Sequence, residues 1–255
     1  MIIAITAQKG GTGKTTTAAT MAAGLTLKGY KVLLIDLDQQ GSLSFICKAD
    51  ATGKTTLGIL TREITAEEAI QPVEIADIIP ANKALAGAEA VLKETGGEYR
   101  LKEALEPIKG KYDFIIIDCP PALGSLTINA LTAADKVIVP AQADVLSLAG
   151  ITQLYDSCKL VKKYTNKELE IAGILLAKHS NRTVLKRDLE EVLREQLSQQ
   201  MQSKVYAATI REAVAINEAQ YMQQSLFSYA GNSKVAEDYR AFIEEFLQDI
   251  KVKRG

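Results

Sequence analysis

Short apolar runs rich in β-branched residues alternate with stretches of helical period along almost the whole chain. Residues 2–5 (Ile-Ile-Ala-Ile) are too brief and too β-branched to open a helix and predict a buried strand. After Thr16, apolar side chains recur at Ala18, Met21, Ala22, Leu25 and Leu27, a helical spacing that Gly29 closes. Further strands are predicted at 31–36, 77–80, 112–118, 136–140 and 171–176, of which 112–118 carries the strongest pattern. Helical patterns fall at 57–60, at 66–70 and in an alanine-rich stretch ending near residue 94. Others fall at 101–108 and at 147–163, where Leu148, Ile151, Leu154, Tyr155, Cys158 and Val161 make the stripe. A last helix is predicted from residue 233 to about 251, with Val235, Tyr239, Phe242, Ile243, Phe246, Leu247 and Ile250 on one side, docked on the sheet.

Strands that are apolar throughout, not alternating, are buried on both faces, as in parallel sheets covered by helices. The expected fold is therefore α/β: a doubly wound, mostly parallel sheet with helices on both faces and right-handed crossovers. No Gly-, Ser- or Pro-rich linker divides the chain, so residues 1–255 are expected to form one domain.

The first candidate chemistry lies between the first strand and the first helix, in Gln8-Lys9-Gly10-Gly11-Thr12-Gly13-Lys14-Thr15-Thr16. A strand, a glycine-rich turn and a helix in that order make a phosphate-binding loop. The glycines let successive backbone N–H groups converge on one oxyanion, and the helix N-terminus adds its positive end. Lys14 is expected to reach the β- and γ-phosphates of a nucleotide and the Thr15 hydroxyl to ligate Mg²⁺. The usual loop has glycine where this chain has Gln8, and a second lysine, Lys9, follows at once. In this deviant Walker A form the chain resembles the ParA/MinD family of dimeric ATPases that position DNA and other cargo.

The resemblance extends from residue 1 to about 247 and is strongest in three motifs. In the first, the family's early lysine crosses the dimer interface to the partner's nucleotide, a role that falls to Lys9. The second is Asp36-Leu37-Asp38-Gln39-Gln40-Gly41, close to the family's Asp-x-Asp-Pro-Gln-Gly with Gln39 for proline. There Asp38 inherits the task of activating the attacking water. The third, Asp118-Cys119-Pro120-Pro121, ends the strongest strand as a Walker B element and γ-phosphate sensor. Thr15, Asp38 and Asp118 thus form the candidate Mg²⁺ set, and Lys9, Lys14 and Asp38 the catalytic one. Residues Lys9, Gly10, Gly11, Thr12, Gly13, Lys14, Thr15 and Thr16 bind phosphate. The stretch 209–219 aligns with the family's adenine-side segment, placing Ile210 and Arg211 beside the base. Relatives there often read Ile-Pro-Arg-Asn-Val-Arg; here Arg211, Glu212 and Ala215 stand at the proline and at the two arginines.

What the resemblance implies is a DNA-partitioning ATPase with ATP and Mg²⁺ as cofactors. Mg-ATP would drive a sandwich homodimer that binds DNA nonspecifically, and a ParB-like activator would stimulate hydrolysis and release it. The alternatives keep the switch but change its surface: a MinD-like membrane-cycling ATPase, or one that positions a protein cargo.

Composition narrows these choices. With 30 Lys and Arg against 31 Asp and Glu the net charge is −1, so DNA binding requires a local patch. Lys178, Arg182, Lys186, Arg187 and Arg211 are its candidate members, though acidic residues interrupt them. Glu237, Asp238, Glu244, Glu245 and Asp249 on the last helix would be repelled by anionic lipid, which makes a membrane partner unfavourable. Cys47, Cys119 and Cys158 are too far apart for a C-x-x-C site, and the start shows neither a basic leader nor a membrane span. A cytoplasmic, nucleoid-associated protein with free thiols is expected. His179, the only histidine, has no nucleophile or acid placed around it and is expected to be a loop residue.

Overall fold

A computed structural model of the chain describes residues 1–179, 191, 194, 195 and 203–250. The apolar runs become strands β1 (Ile2–Ile5), β2 (Val32–Asp36), β3 (Gln71–Pro72), β4 (Asp77–Ile79), β5 (Phe114–Asp118), β6 (Lys136–Ala141), β7 (Glu170–His179) and β8 (Val205–Arg211). They form one sheet in the order β3-β4-β2-β5-β1-β6-β7-β8. Every neighbouring pair is parallel except β3 with β4.

Alternate side chains of the central strands feed two separate cores. Ile2, Ala4, Leu33, Ile35, Ile115 and Ile117 pack on one face; Ile3, Ile5, Val32, Leu34, Phe114 and Ile116 pack on the other. Each fully buried aliphatic side chain contributes roughly 1.5–3 kcal/mol of transfer free energy, so both faces must be covered by helices. One is covered by α1 (Lys14–Leu27) and α11 (Lys234–Asp249), the other by α3 (Thr56–Thr61), α6 (Arg100–Leu105), α7 (Ser125–Ala133) and α8 (Val145–Tyr164). Short helices α2 (Ser42–Ile46), α4 (Ala66–Ala69), α5 (Ala88–Leu92), α9 (Val214–Tyr221) and α10 (Leu226–Ala230) complete the layers. The doubly wound, mostly parallel architecture is as expected.

The last helix docks through Val235, Tyr239, Phe242, Ile243 and Phe246, all at most 1% exposed. Leu27, counted with the first helix's apolar stripe, is instead 72% exposed at the helix end. Strand β8 was not anticipated: only Tyr206 and Ile210 are buried along it, and its register against β7 shifts twice, which blurs any alternation. His179 ends β7, its backbone paired with Arg211, so it closes a strand and does not sit in a loop. Among the described residues no helix is long and apolar enough to cross a membrane.

Candidate active site

The loop after β1 wraps a left-handed turn. Gly11 has φ +74° and Gly13 φ +91°, backbone that L side chains rarely adopt. Gly13 then opens α1 with no side-chain cap, so the first N–H groups of a 14-residue helix are left for a ligand. They face a cavity of about 460 Å³ at the carboxyl ends of the strands, where open α/β sheets bind ligands. Gly10, Gly11, Gly13, Lys14, Thr15 and Thr16 form one wall; Asp38, Pro121, Ile210 and Arg211 stand around it. Thr12 is buried instead, its hydroxyl donating to the Lys9 carbonyl at 3.3 Å.

Asp118 ends β5 directly opposite Asp36 on β2 and is 1% exposed. Burial pushes its carboxyl well above the ordinary range, and the Asp36 charge adds to this, while Thr15 and Lys14 beside it pull the other way. Neither of its oxygens closes a hydrogen bond among the described residues. A buried carboxylate left without a partner is costly unless a cation joins it. Among the described residues no three acidic, histidine or cysteine side chains converge into a metal cage. Mg²⁺ is ordinarily held by one or two protein oxygens together with substrate phosphates, and the Asp118 carboxylate and Thr15 hydroxyl are oxygens of that kind.

Asp38 is half-buried on the cavity wall. Its Oδ1 accepts from Gln40 N at 3.0 Å and its carbonyl from Gly41 N at 2.9 Å, a turn closed by its own side chain. Gly41 has φ +63°, and a Cβ there would lie 2.9 Å from the Ala81 carbonyl oxygen, so the turn tolerates glycine alone. The Asp38 N–H donates to Asp36 Oδ1 at 3.1 Å.

Lys9 does not face the cavity. Its Nζ donates to Asp144 Oδ2 at 2.8 Å, both side chains about one-third exposed. Asp144 also caps α8, accepting from Ser147 N at 2.9 Å and Ser147 Oγ at 3.1 Å. Partial burial pushes its carboxyl up, but the Lys9 and Ser147 hydrogen bonds outweigh that and hold it below the ordinary range. The Gln142 amide adds a 3.4 Å bond to the Gly11 carbonyl.

Of the five DNA candidates, Arg182, Lys186 and Arg187 lie outside the described residues. Lys178 is exposed with φ +52°, and both it and Arg211 line the nucleotide-sized cavity, not a separate face. Arg211 is also engaged: its Nε and a terminal nitrogen each bond the Asp238 carboxylate at 2.7 Å. Ile210 is buried beneath the cavity, and Gln220 Nε2 ties α9 to Thr16 Oγ1 at 2.8 Å. The sequence reading placed Asp36 in the second motif and Asp238 on the acidic side of the last helix, but gave neither a role in holding the site. Asp144 left a weaker signal, as an acid just past the end of a strand, and its pairing with Lys9 was not anticipated.

A family model described as an AAA domain matches residues 1–171. The chain is 42% identical to the sporulation initiation inhibitor protein Soj of Bacillus subtilis, over 96% of this chain and 97% of that protein. It is 40% identical to the chromosome partitioning protein ParA of Caulobacter vibrioides, over 86% of this chain and 83% of that one. Among solved structures, cobyrinic acid a,c-diamide synthase from Mycobacterium smegmatis with bound ATP analog and magnesium matches with TM-score 0.84 and 35% identity. That match covers 99% of this chain and 96% of the other.

Proposed function

Because the chain belongs to the Soj/ParA family of chromosome-partitioning proteins, we propose that it is an ATP-driven switch that partitions DNA. Its Mg-ATP state is a sandwich homodimer that binds DNA nonspecifically, and a ParB-like partner stimulates hydrolysis and releases it. The observation that carries the reading is the buried Asp118 carboxylate beside Lys14 and Thr15, its two oxygens closing no full hydrogen bond among the described residues, at the foot of an uncapped helix N-terminus. A Mycobacterium relative with bound ATP analog and magnesium supports the choice of ligand.

Backbone N–H groups of Gly10 to Thr16 hold the phosphates, and Lys14 neutralises the β- and γ-oxygens. The Thr15 hydroxyl and Asp118 would hold Mg²⁺, which would supply charge withdrawal from the phosphate oxygens. Asp38, fixed by its own turn, accepts a proton from the attacking water or orients it. Ile210 and Arg211 border the base. Lys9 of each subunit reaches the partner's phosphates once it leaves Asp144.

The test is binding to a random DNA duplex with ATP, ADP or no nucleotide, using Asp38→Ala to hold the ATP state. ATP-dependent binding is expected, and its affinity should fall roughly tenfold or more between about 50 and 200 mM salt, as phosphate contacts require. Absence of binding in every state would overturn the DNA assignment and move the switch to a protein or membrane surface.

A further inference from the structure

The Asp36 carboxylate is fully buried and has no salt-bridge partner among the described residues. It sits across from a second buried carboxylate, Asp118. Burial raises its pKa to about 6 even though three donors point at it. Such a group is expensive to keep, and a chain selected for stability alone gains nothing from a lone buried acid. Its hydrogen bonds show what it is used for.

Oδ1 accepts the Asp38 N–H at 3.1 Å. Oδ2 accepts Ser44 N at 2.8 Å and Ser44 Oγ at 2.7 Å. Residues 38 and 44 are the two feet of the loop that carries the Asp38 carboxylate, and both stand on this one side chain. The base of the loop is then fastened to the sheet. Ser44 Oγ accepts Ala81 N at 2.8 Å, and the Thr56 hydroxyl bridges the Asp36 carbonyl at 2.7 Å and the Pro80 carbonyl at 3.1 Å. Only an acceptor-only group satisfies three donors on two oxygens; an amide would turn its NH₂ toward one of them.

We propose that Asp36, acting through Asp38 N and Ser44, is the positioning residue that fixes the hydrolytic Asp38 loop. This rests on the role given to Asp38 above. Asp36 is buried and does not line the cavity; it sets where the Asp38 carboxylate stands relative to it. Small displacements of a catalytic group cost rate far more than they cost substrate affinity.

Asp36→Asn and Ser44→Ala test this, with single-turnover hydrolysis of Mg-ATP, Mg-ATP affinity, thermal midpoint and amide hydrogen exchange measured on each. Asp36→Asn should slow hydrolysis at least tenfold and Ser44→Ala about threefold to tenfold. Mg-ATP affinity should stay within about threefold, and faster exchange should be confined to residues 38–44. Equal losses in rate and affinity, or faster exchange across the whole sheet, would show a merely structural acid and overturn the proposal. Two further outcomes separate its failure from that of its premise. Normal hydrolysis in Asp36→Asn with hydrolysis lost in Asp38→Ala overturns Asp36 alone. Normal hydrolysis in Asp38→Ala overturns the role of Asp38, and the proposal falls with it.

Discussion

Lys9 meets Asp144 across 135 positions of sequence, and the pair decides what the lysine can do in an isolated subunit. Reaching into a partner requires giving up this contact. At one-third exposure such a pair contributes about 0.5–1 kcal/mol, and a dimer breaks two of them. Asp144→Asn removes the charge but keeps an oxygen for the Ser147 N–H, so the cap on α8 survives. The expected outcome in the Asp38→Ala background is ATP-dependent self-association tightened roughly 5- to 30-fold, with little change in melting temperature. Weaker association, read by sedimentation, would mean that Asp144 belongs to the interface and not to a restraint. Sequence placed the phosphate-loop residues because their geometry is local to nine consecutive positions. Asp36 was legible as the end of a strand and the first residue of the second motif, but not as a support for the loop. Its partner Ser44 comes round through the α2 turn, and no spacing rule announces a carboxylate that serves the loop it precedes.

Elements behave in the same way: those with a self-contained pattern were readable, and those defined by a neighbour were not. The buried strands β1, β2, β5, β6 and β7 carry continuous apolar runs. Strand β8 is held from outside, by Glu245 of α11. That carboxylate accepts Ala207 N at 3.0 Å, Ala208 N at 3.0 Å and Lys204 Nζ at 2.9 Å. Partial burial works against its ionised form, but the Ala208, Lys204 and Ala207 donors prevail and hold its pKa below the ordinary glutamate range. A carboxyl with a depressed folded pKa contributes stability above its unfolded value near 4.5, and loses it as pH falls through the lower folded value. Glu245→Gln should therefore cost on the order of 1 kcal/mol at pH 7, measured as a lower urea midpoint. The gap from the parent protein should close as pH drops below about 4. A gap independent of pH would mean that the clamp works by packing and not by charge.

At the scale of the whole molecule, the sheet brings the ends of β1, β2, β5, β7 and β8 to one edge. Of the residues assigned to phosphate, metal or base, Gly10, Gly11, Gly13, Lys14, Thr15, Thr16, Asp38, Ile210 and Arg211 line the cavity there, while Lys9 turns away to Asp144. The alternation of strands and helices was enough to anticipate this, because ligand sites in open parallel sheets follow from topology. The surface proposed for DNA was not legible. A net charge of −1 gives no overall basic signal, and the structure brings Lys178 and Arg211 to the nucleotide cavity. Arg211 is already paired there, so Arg211→Ala is expected to alter nucleotide affinity about as much as DNA affinity, read by titrating each separately. A large loss of DNA binding with nucleotide affinity unchanged would return Arg211 to a DNA-contacting face.

The central claim is that Mg-ATP closes two copies of this chain on each other through Lys9. The most direct measurement is sedimentation velocity of Asp38→Ala with Mg-ATP, with ADP and without nucleotide, repeated after adding Lys9→Ala. The account predicts a dimer with Mg-ATP only, and a monomer that still binds Mg-ATP once Lys9 is gone. A species that stays monomeric while saturated with Mg-ATP, or a dimer indifferent to nucleotide and to Lys9, would contradict it.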